Sequence, residues 1–229
     1  MSSTRSVRPT NQTDRLAHNP AAELEYARQP KRLPRSVPNE ADMKRLLSKP
    51  DTSTVLGFRD RTILEVLYST GIRKQELMNL SLEDMDLDSG FLMVREGKGG
   101  KDRVVPLGKV AARFIETYLH GIRPDLLKQG PDPKCRTLFL SARGTRLGKN
   151  TVNELVARYV RAAGFKQPVS PHSFRHAFAT HLIRHNANIR HVQEMLGHGK
   201  LSSTQTYIRL TLNDLKEAHS RFHPREKMR

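Results

Sequence analysis

Apolar positions along the chain fall into blocks whose spacing changes, and each change of spacing marks an element. Between Phe58 and Thr70 the set Ile63, Leu64, Val66 and Leu67 predicts a buried helix, with Gly71 placed to end it in the left-handed conformation. Further on, Phe174, Ala177, Phe178, His181 and Leu182 repeat at i, i+3, i+4, i+7 and i+8, giving one largely apolar helical face. Shorter helices are predicted over Ala41 to Leu47 behind an Asn39 cap, Arg73 to Leu80, Lys109 to His120, Asn150 to Ala163 and Asn213 to Phe222. Two runs have strand character, Phe91 to Arg95 and Arg103 to Leu107, and the glycine-rich segment Gly97-Lys98-Gly99-Gly100 between them predicts a β-hairpin. Residues Glu83 to Leu87 suit a third, edge-like strand. The fold class expected is therefore mainly α with a small antiparallel β-sheet (α+β).

The first 36 residues break this pattern. They are polar, basic and end in Gln29-Pro30-Lys31-Arg32-Leu33-Pro34-Arg35-Ser36, where the prolines block regular helix. Residues 1–36 are expected to form a partly disordered linker or arm, with Lys31, Arg32 and Arg35 as candidates to follow a phosphate backbone, and 37–229 to form the main domain.

Charge narrows the partner. Forty Lys and Arg against 23 Asp and Glu give a formal net charge of +17, which attracts polyanions, and nucleic acid is the first to consider. Residues 1–36 carry seven basic and three acidic side chains, so most of the excess belongs to the remainder. The single cysteine, Cys135, can form neither an internal disulfide nor a Cys-based zinc site, which fits a reducing cytoplasm. No run of 18 apolar residues occurs, so no membrane span is expected.

The candidate chemistry begins at Ser170-Pro171-His172-Ser173-Phe174-Arg175, which has the grammar of a helix start with Ser170 as cap and Pro171 at the first helical position. His172 and Arg175, three residues apart in the first turn, share a face where free backbone N–H groups and the helix dipole favour an oxyanion. The pairs His172/His176 and His181/His185 have the spacing of zinc ligands but lack the acidic or cysteine partners of such motifs. No metal or cofactor is expected, and His176, His181 and His185 read as core or surface residues.

Leu196-Gly197-His198 places a second histidine nine residues before Tyr207. Together with Gly71-Ile72-Arg73-Lys74-Gln75-Glu76-Leu77, Gly97-Lys98-Gly99-Gly100-Lys101-Asp102-Arg103 and His172-Ser173-Phe174-Arg175-His176, the order and spacing closely resemble the Xer-like tyrosine recombinases and phage integrases, over about Leu33 to Leu215. The resemblance implies a catalytic set of Arg73, Lys98, His172, Arg175, His198 and the nucleophile Tyr207, with Glu76 bracing Arg73. Two guanidiniums suit a phosphoryl transition state because each offers paired donors to the non-bridging oxygens. Lys98 is expected to protonate the departing 5′ oxygen and His172 to accept the tyrosine proton. The neighbouring Lys101 and Arg103 are expected on backbone phosphates.

The activity implied is cleavage and rejoining of double-stranded DNA through a 3′-phosphotyrosine, without metal or ATP, in a prokaryotic cytoplasm at the nucleoid. Self-association on DNA into a tetrameric synapse is implied as well, with the last helix docking on a neighbouring protomer. Family members carry a helical DNA-clamping domain before the linker; that domain is expected to be absent here, with DNA held weakly and with relaxed specificity. Two other readings stay open at this point: a type IB topoisomerase-like activity using the same chemistry, and a truncated DNA-binding remnant.

Overall fold

A computed structural model describes residues 37–95, 102–197 and 215–227. Chain contacts separate Met1–Arg35 from a second unit, Ser36–Arg229, and every described residue belongs to the second. The expected arm over 1–36, the tip of the hairpin and the stretch carrying His198 and Tyr207 lie outside the described residues.

The elements in order are α1 (Glu40–Leu47), α2 (Val55–Thr70), α3 (Lys74–Asn79), β1 (Met85–Asp86), β2 (Phe91–Val94), β3 (Arg103–Pro106), α4 (Lys109–Thr117), α5 (Arg123–Lys128), α6 (Thr151–Ala162), α7 (Pro171–Arg184), α8 (Ile189–Leu196), α9 (residues 215–222) and α10 (Pro224–Lys227). The architecture is the expected one, mainly helical with a three-stranded antiparallel sheet in the order β1-β2-β3. No helix among the described residues is long and apolar enough to cross a membrane.

Helix α2 is the axis of the unit. Ile63, Leu64, Val66, Leu67 and Tyr68 are all fully buried, and the polar residues that share its buried faces are each paired. Asp60 accepts from Arg59 at 2.7 Å and from the Tyr159 hydroxyl at 2.9 Å, and Glu65 accepts from Arg61 and from Arg225, each at 2.7 Å. Pairing is what makes a buried charge tolerable, since one left alone would cost several kcal/mol. The helix begins three residues earlier than the apolar spacing predicts. Thr54 caps it by accepting from the Gly57 N–H at 3.1 Å, so its first turn is set by capping chemistry and not by periodicity.

Helix α7 lies against α2 with Phe174, Ala177, Phe178, His181 and Leu182 fully buried, the stripe its spacing predicts. His181 is thus a core residue, with its Nδ1 2.8 Å from the Tyr68 hydroxyl, whereas His185 sits at the surface, 2.7 Å from Glu40. The two helices approach tightly at Gly71. This residue ends α2 with φ +62°, and a Cβ built there would stand 2.5 Å from Cδ1 of Phe178. Only glycine meets both demands.

The hairpin pairs Phe91 with Pro106, Leu92 with Val105, Met93 with Val104 and Val94 with Arg103. Leu92, Val94 and Val105 therefore face inward, and so does Arg103, an arginine at a core-facing strand position. The third strand is shorter than expected because Asp84 accepts from the Ser81 N–H at 2.8 Å, folding Leu82–Asp84 into a 3₁₀ turn. The helix expected to stop at His120 instead runs through a π turn, Tyr118–Ile122, into α5. There Arg123 donates to the carbonyls of Cys135, Thr137 and Leu138, fastening the following loop to the helix.

The last helical residues pack on their own chain. His219 Nε2 lies 2.6 Å from the Ser69 carbonyl, His223 Nε2 3.1 Å from that of Tyr68, and the two rings stack at 4.7 Å. Within a single chain the segment expected to dock on a neighbour is thus seated on α2. Burial pushes the His219 imidazole down from 6.5 to about 4, and burial with the neighbouring His219 pushes His223 well below its ordinary range.

Two outcomes follow from this packing. Gly71→Ala should cost about 2–4 kcal/mol, combining left-handed strain with overpacking against Phe178, as read from urea unfolding. Neutral His219 and His223 stabilise the folded chain fully above pH 6.5, and the contribution of His219 is lost as pH falls towards its folded value of about 4. Hydrogen-exchange protection of the α9 amides should therefore decline over that window, and His219→Gln, which keeps a donor but does not titrate, should flatten the decline.

Candidate active site

The site is built where the ends of α2, α7 and α8 meet the inner face of β3. After the left-handed Gly71 and the buried Ile72, the chain places Arg73 at the N-cap of α3 with extended backbone, φ −75° and ψ 152°. Glu76, one turn in, reaches back: its Oε2 accepts from the Arg73 backbone N–H at 2.7 Å and its Oε1 from Arg73 Nη1 at 2.7 Å. Glu76 thus holds Arg73 through both backbone and side chain. No other described residue takes a hydrogen bond from the Arg73 guanidinium, and its side chain is 29% exposed.

A second arginine closes on the same carboxylate. Arg103 donates from Nη1 to Glu76 Oε1 at 3.0 Å and from Nη2 to Oε2 at 2.8 Å, a fork on a fork, while its Nε donates to the Met195 carbonyl at 3.0 Å. Burial pulls the Glu76 carboxyl upward, but the hydrogen bonds from Arg103 and the Arg73 backbone outweigh it and hold the group at about 2. The expectation that Arg103 touches a DNA backbone phosphate is not met. Its side chain is 4% exposed and all three guanidinium nitrogens are committed inside the protein.

Arg175 projects inward from the first turn of α7. Its Nη1 donates to the Gly71 carbonyl at 2.9 Å and its Nη2 to the Leu196 carbonyl at 2.5 Å, so it joins the end of α2 to the end of α8. Burial, aided by the nearby Arg73, pushes its pKa down to about 10, leaving it charged at neutral pH. Arg175 and Arg103 together take the last two carbonyls of α8, the negative end of that helix, just before the left-handed Gly197.

His172 opens α7 two residues after the Ser170 cap, whose N–H donates to Ser173 Oγ at 3.1 Å. It is exposed, and its ring stands edge-on to that of His176 at 4.5 Å, one turn further along. The structure thus brings Arg73, Glu76 and Arg175 together with Arg103. It places His172 on the same helical turn as Arg175. Lys98, Lys101, His198 and Tyr207 lie outside the described residues, as do Lys31, Arg32 and Arg35.

Among Arg73, Arg103, Arg175 and Glu76 three positive charges face one negative charge, most of them removed from water. Such a cluster favours an anion with several oxygens. The residue that sequence reasoning misplaced was Arg103. Its signal was present: in the alternation of Arg103-Val104-Val105, the arginine shares the inward phase with Val105.

Comparison with known proteins agrees with this geometry. Residues 38–213 match the model of the phage integrase family. The chain is 41% identical over 213 residues to the tyrosine recombinase XerD of Listeria innocua, covering 92% of this chain and 70% of that protein. It superposes on the crystal structure of XerA recombinase with a TM-score of 0.63 at 31% identity, over 80% of this chain and 66% of that one. The fold is shared too with the XerH site-specific recombinase in a pre-cleavage complex with its difH substrate, at a TM-score of 0.62, 24% identity, and coverage of 82% and 56%. The chain belongs to the phage integrase family, the tyrosine recombinases.

Glu76→Gln should cost about 3 kcal/mol of stability at pH 7, because it leaves the buried Arg103 without its counter-charge. Since Glu76 is held below its ordinary 4.5, its contribution is complete above pH 4.5 and is lost as pH falls towards 2. Urea unfolding at pH 7 and pH 3 should show the gap between wild type and variant narrowing at the lower pH.

Proposed function

We propose that the chain is a site-specific DNA recombinase that cuts a strand by attack of the Tyr207 hydroxyl on a phosphodiester and rejoins it by the reverse reaction. The observation that carries this reading is the closeness of Arg73 and Arg175, near enough for one charge to act on the other, the first braced by Glu76 and the second locked to the Gly71 and Leu196 carbonyls. Attack concentrates negative charge on the non-bridging oxygens, and two charged groups held in place beforehand stabilise that charge without reorganising.

In this reading Arg73 and Arg175 hold the scissile phosphate. His172, exposed on the same turn as Arg175, accepts the proton of Tyr207 as the tyrosine oxygen forms its bond to phosphorus. His198 donates to a phosphate oxygen, and Lys98 protonates the 5′ oxygen as the phosphorus–oxygen bond breaks. The product is a 3′-phosphotyrosine and a free 5′ hydroxyl. Because the phosphotyrosine keeps the energy of the ester, rejoining calls for neither nucleotide hydrolysis nor a metal ion.

Double-stranded DNA is the substrate proposed, in keeping with the net charge of +17 and with the difH complex of the related XerH fold. Exchanging both strands of two duplexes takes four strand cleavages, one per tyrosine. The working assembly proposed is therefore four protomers on two duplexes.

The experiment is to incubate wild type and Tyr207→Phe with fragmented DNA from the source cell, denature in SDS and sequence what remains attached. A covalent adduct with the wild type and none with the variant is expected. DNA binding without an adduct from either protein would overturn the proposal.

A further inference from the structure

We infer that Arg103 is a positioning residue for the proposed reaction: its grip on Glu76 keeps part of the Arg73 guanidinium available to the scissile phosphate. The inference rests on the reading of Arg73 as a phosphate ligand and adds a residue to it.

A carboxylate has about four acceptor positions. On Glu76 they are filled in two pairs, one by the Arg73 backbone N–H and Nη1, the other by Nη1 and Nη2 of Arg103. Without Arg103 two acceptor positions of a carboxylate only 7% exposed would stand empty. Arg73, already bonded to Oε1 through Nη1, has further N–H groups to offer. Turning one of them onto Glu76 would satisfy the carboxylate and take that donor, with its share of charge, away from the phosphate. Arg103 prevents this by satisfying Glu76 first.

The role assigned to Arg103 is indirect, because its paired Nη groups are directed at Glu76 and its Nε at the Met195 carbonyl. Its third bond, to the Met195 carbonyl, also fixes the end of α8 three residues before His198 in sequence. Gly197 allows the chain to leave α8 over the arginine: a Cβ there would lie 3.1 Å from Arg103 Cδ, at φ +71°. One guanidinium thus links strand β3, the brace of Arg73, and the helix that precedes His198 in sequence.

The probe is inorganic phosphate, added to the full chain while the Nε–Hε resonance of Arg73 is followed by NMR in wild type, Arg103→Gln and Arg103→Lys. Wild type should show a saturable shift. Arg103→Gln should weaken phosphate binding about tenfold, and Arg103→Lys, which keeps the charge but loses the fork, should remain weakened several-fold. Thermal unfolding checks that each variant is folded; should the glutamine variant fail, the lysine variant decides. Alongside, duplex DNA binding across salt should give one slope for all three proteins, since loss of a direct phosphate contact would lower it by about 0.9.

Wild-type phosphate affinity in Arg103→Lys, or a salt slope reduced by about one, would overturn the inference while leaving the reading of Arg73 intact. No phosphate shift at Arg73 in the wild type would overturn both. These results are distinct from the adduct experiment, which reads Tyr207.

Discussion

A buried carboxylate shared between two arginines is the interaction on which the rest of this structure turns. Glu76 is held ionised at about 2 because Arg103 and Arg73 surround it, and in return it fixes where both guanidiniums lie. Removing water from such a trio costs several kcal/mol per ion, and only a complete set of hydrogen bonds offsets that cost. The geometry is therefore stiff: no member can shift without leaving a buried charge unsatisfied.

Arginine is used throughout this unit as a fastener of carbonyls. Arg175 joins the Gly71 and Leu196 carbonyls, Arg103 takes that of Met195, and Arg123 gathers three from the loop after α5. A planar fork with five donors suits this work where a lysine would satisfy fewer groups less directionally. A basic composition that looks at first like a wholly DNA-facing surface is thus partly structural. Several of the positive charges face inward, and the net charge of +17 overstates what is available to a polyanion.

The position of Gly71 shows how packing and chemistry are joined. Its left-handed turn ends α2, its missing Cβ lets Phe178 of α7 come close, and its carbonyl receives Arg175 from that same helix. The residue that ends one helix thereby sets the distance between the two arginines proposed to hold the phosphate. In the proposed reaction that distance must be right before DNA arrives, since preorganised charge is worth most when nothing has to move.

The local grammar of the chain was legible without a structure. The Asn39 cap, the Gly71 stop, the stripe from Phe174 to Leu182 and the two paired strands β2 and β3 all follow from side-chain chemistry within a few residues, and the motifs around Arg73, His172 and Arg175 pointed to a phosphate site. Capping and turn geometry shifted particular ends: Thr54 starts α2 early, the Ser81–Asp84 turn shortens β1, and a π turn carries α4 into α5. Only the tertiary structure decided the partner of Arg103. Twenty-seven residues separate it from Glu76 and 92 from Met195, and the strand alternation that turns it inward does not say which buried group it meets there. Sequence determines what a side chain can bond to; which partner it meets depends on which distant elements the fold brings within about 3 Å of it.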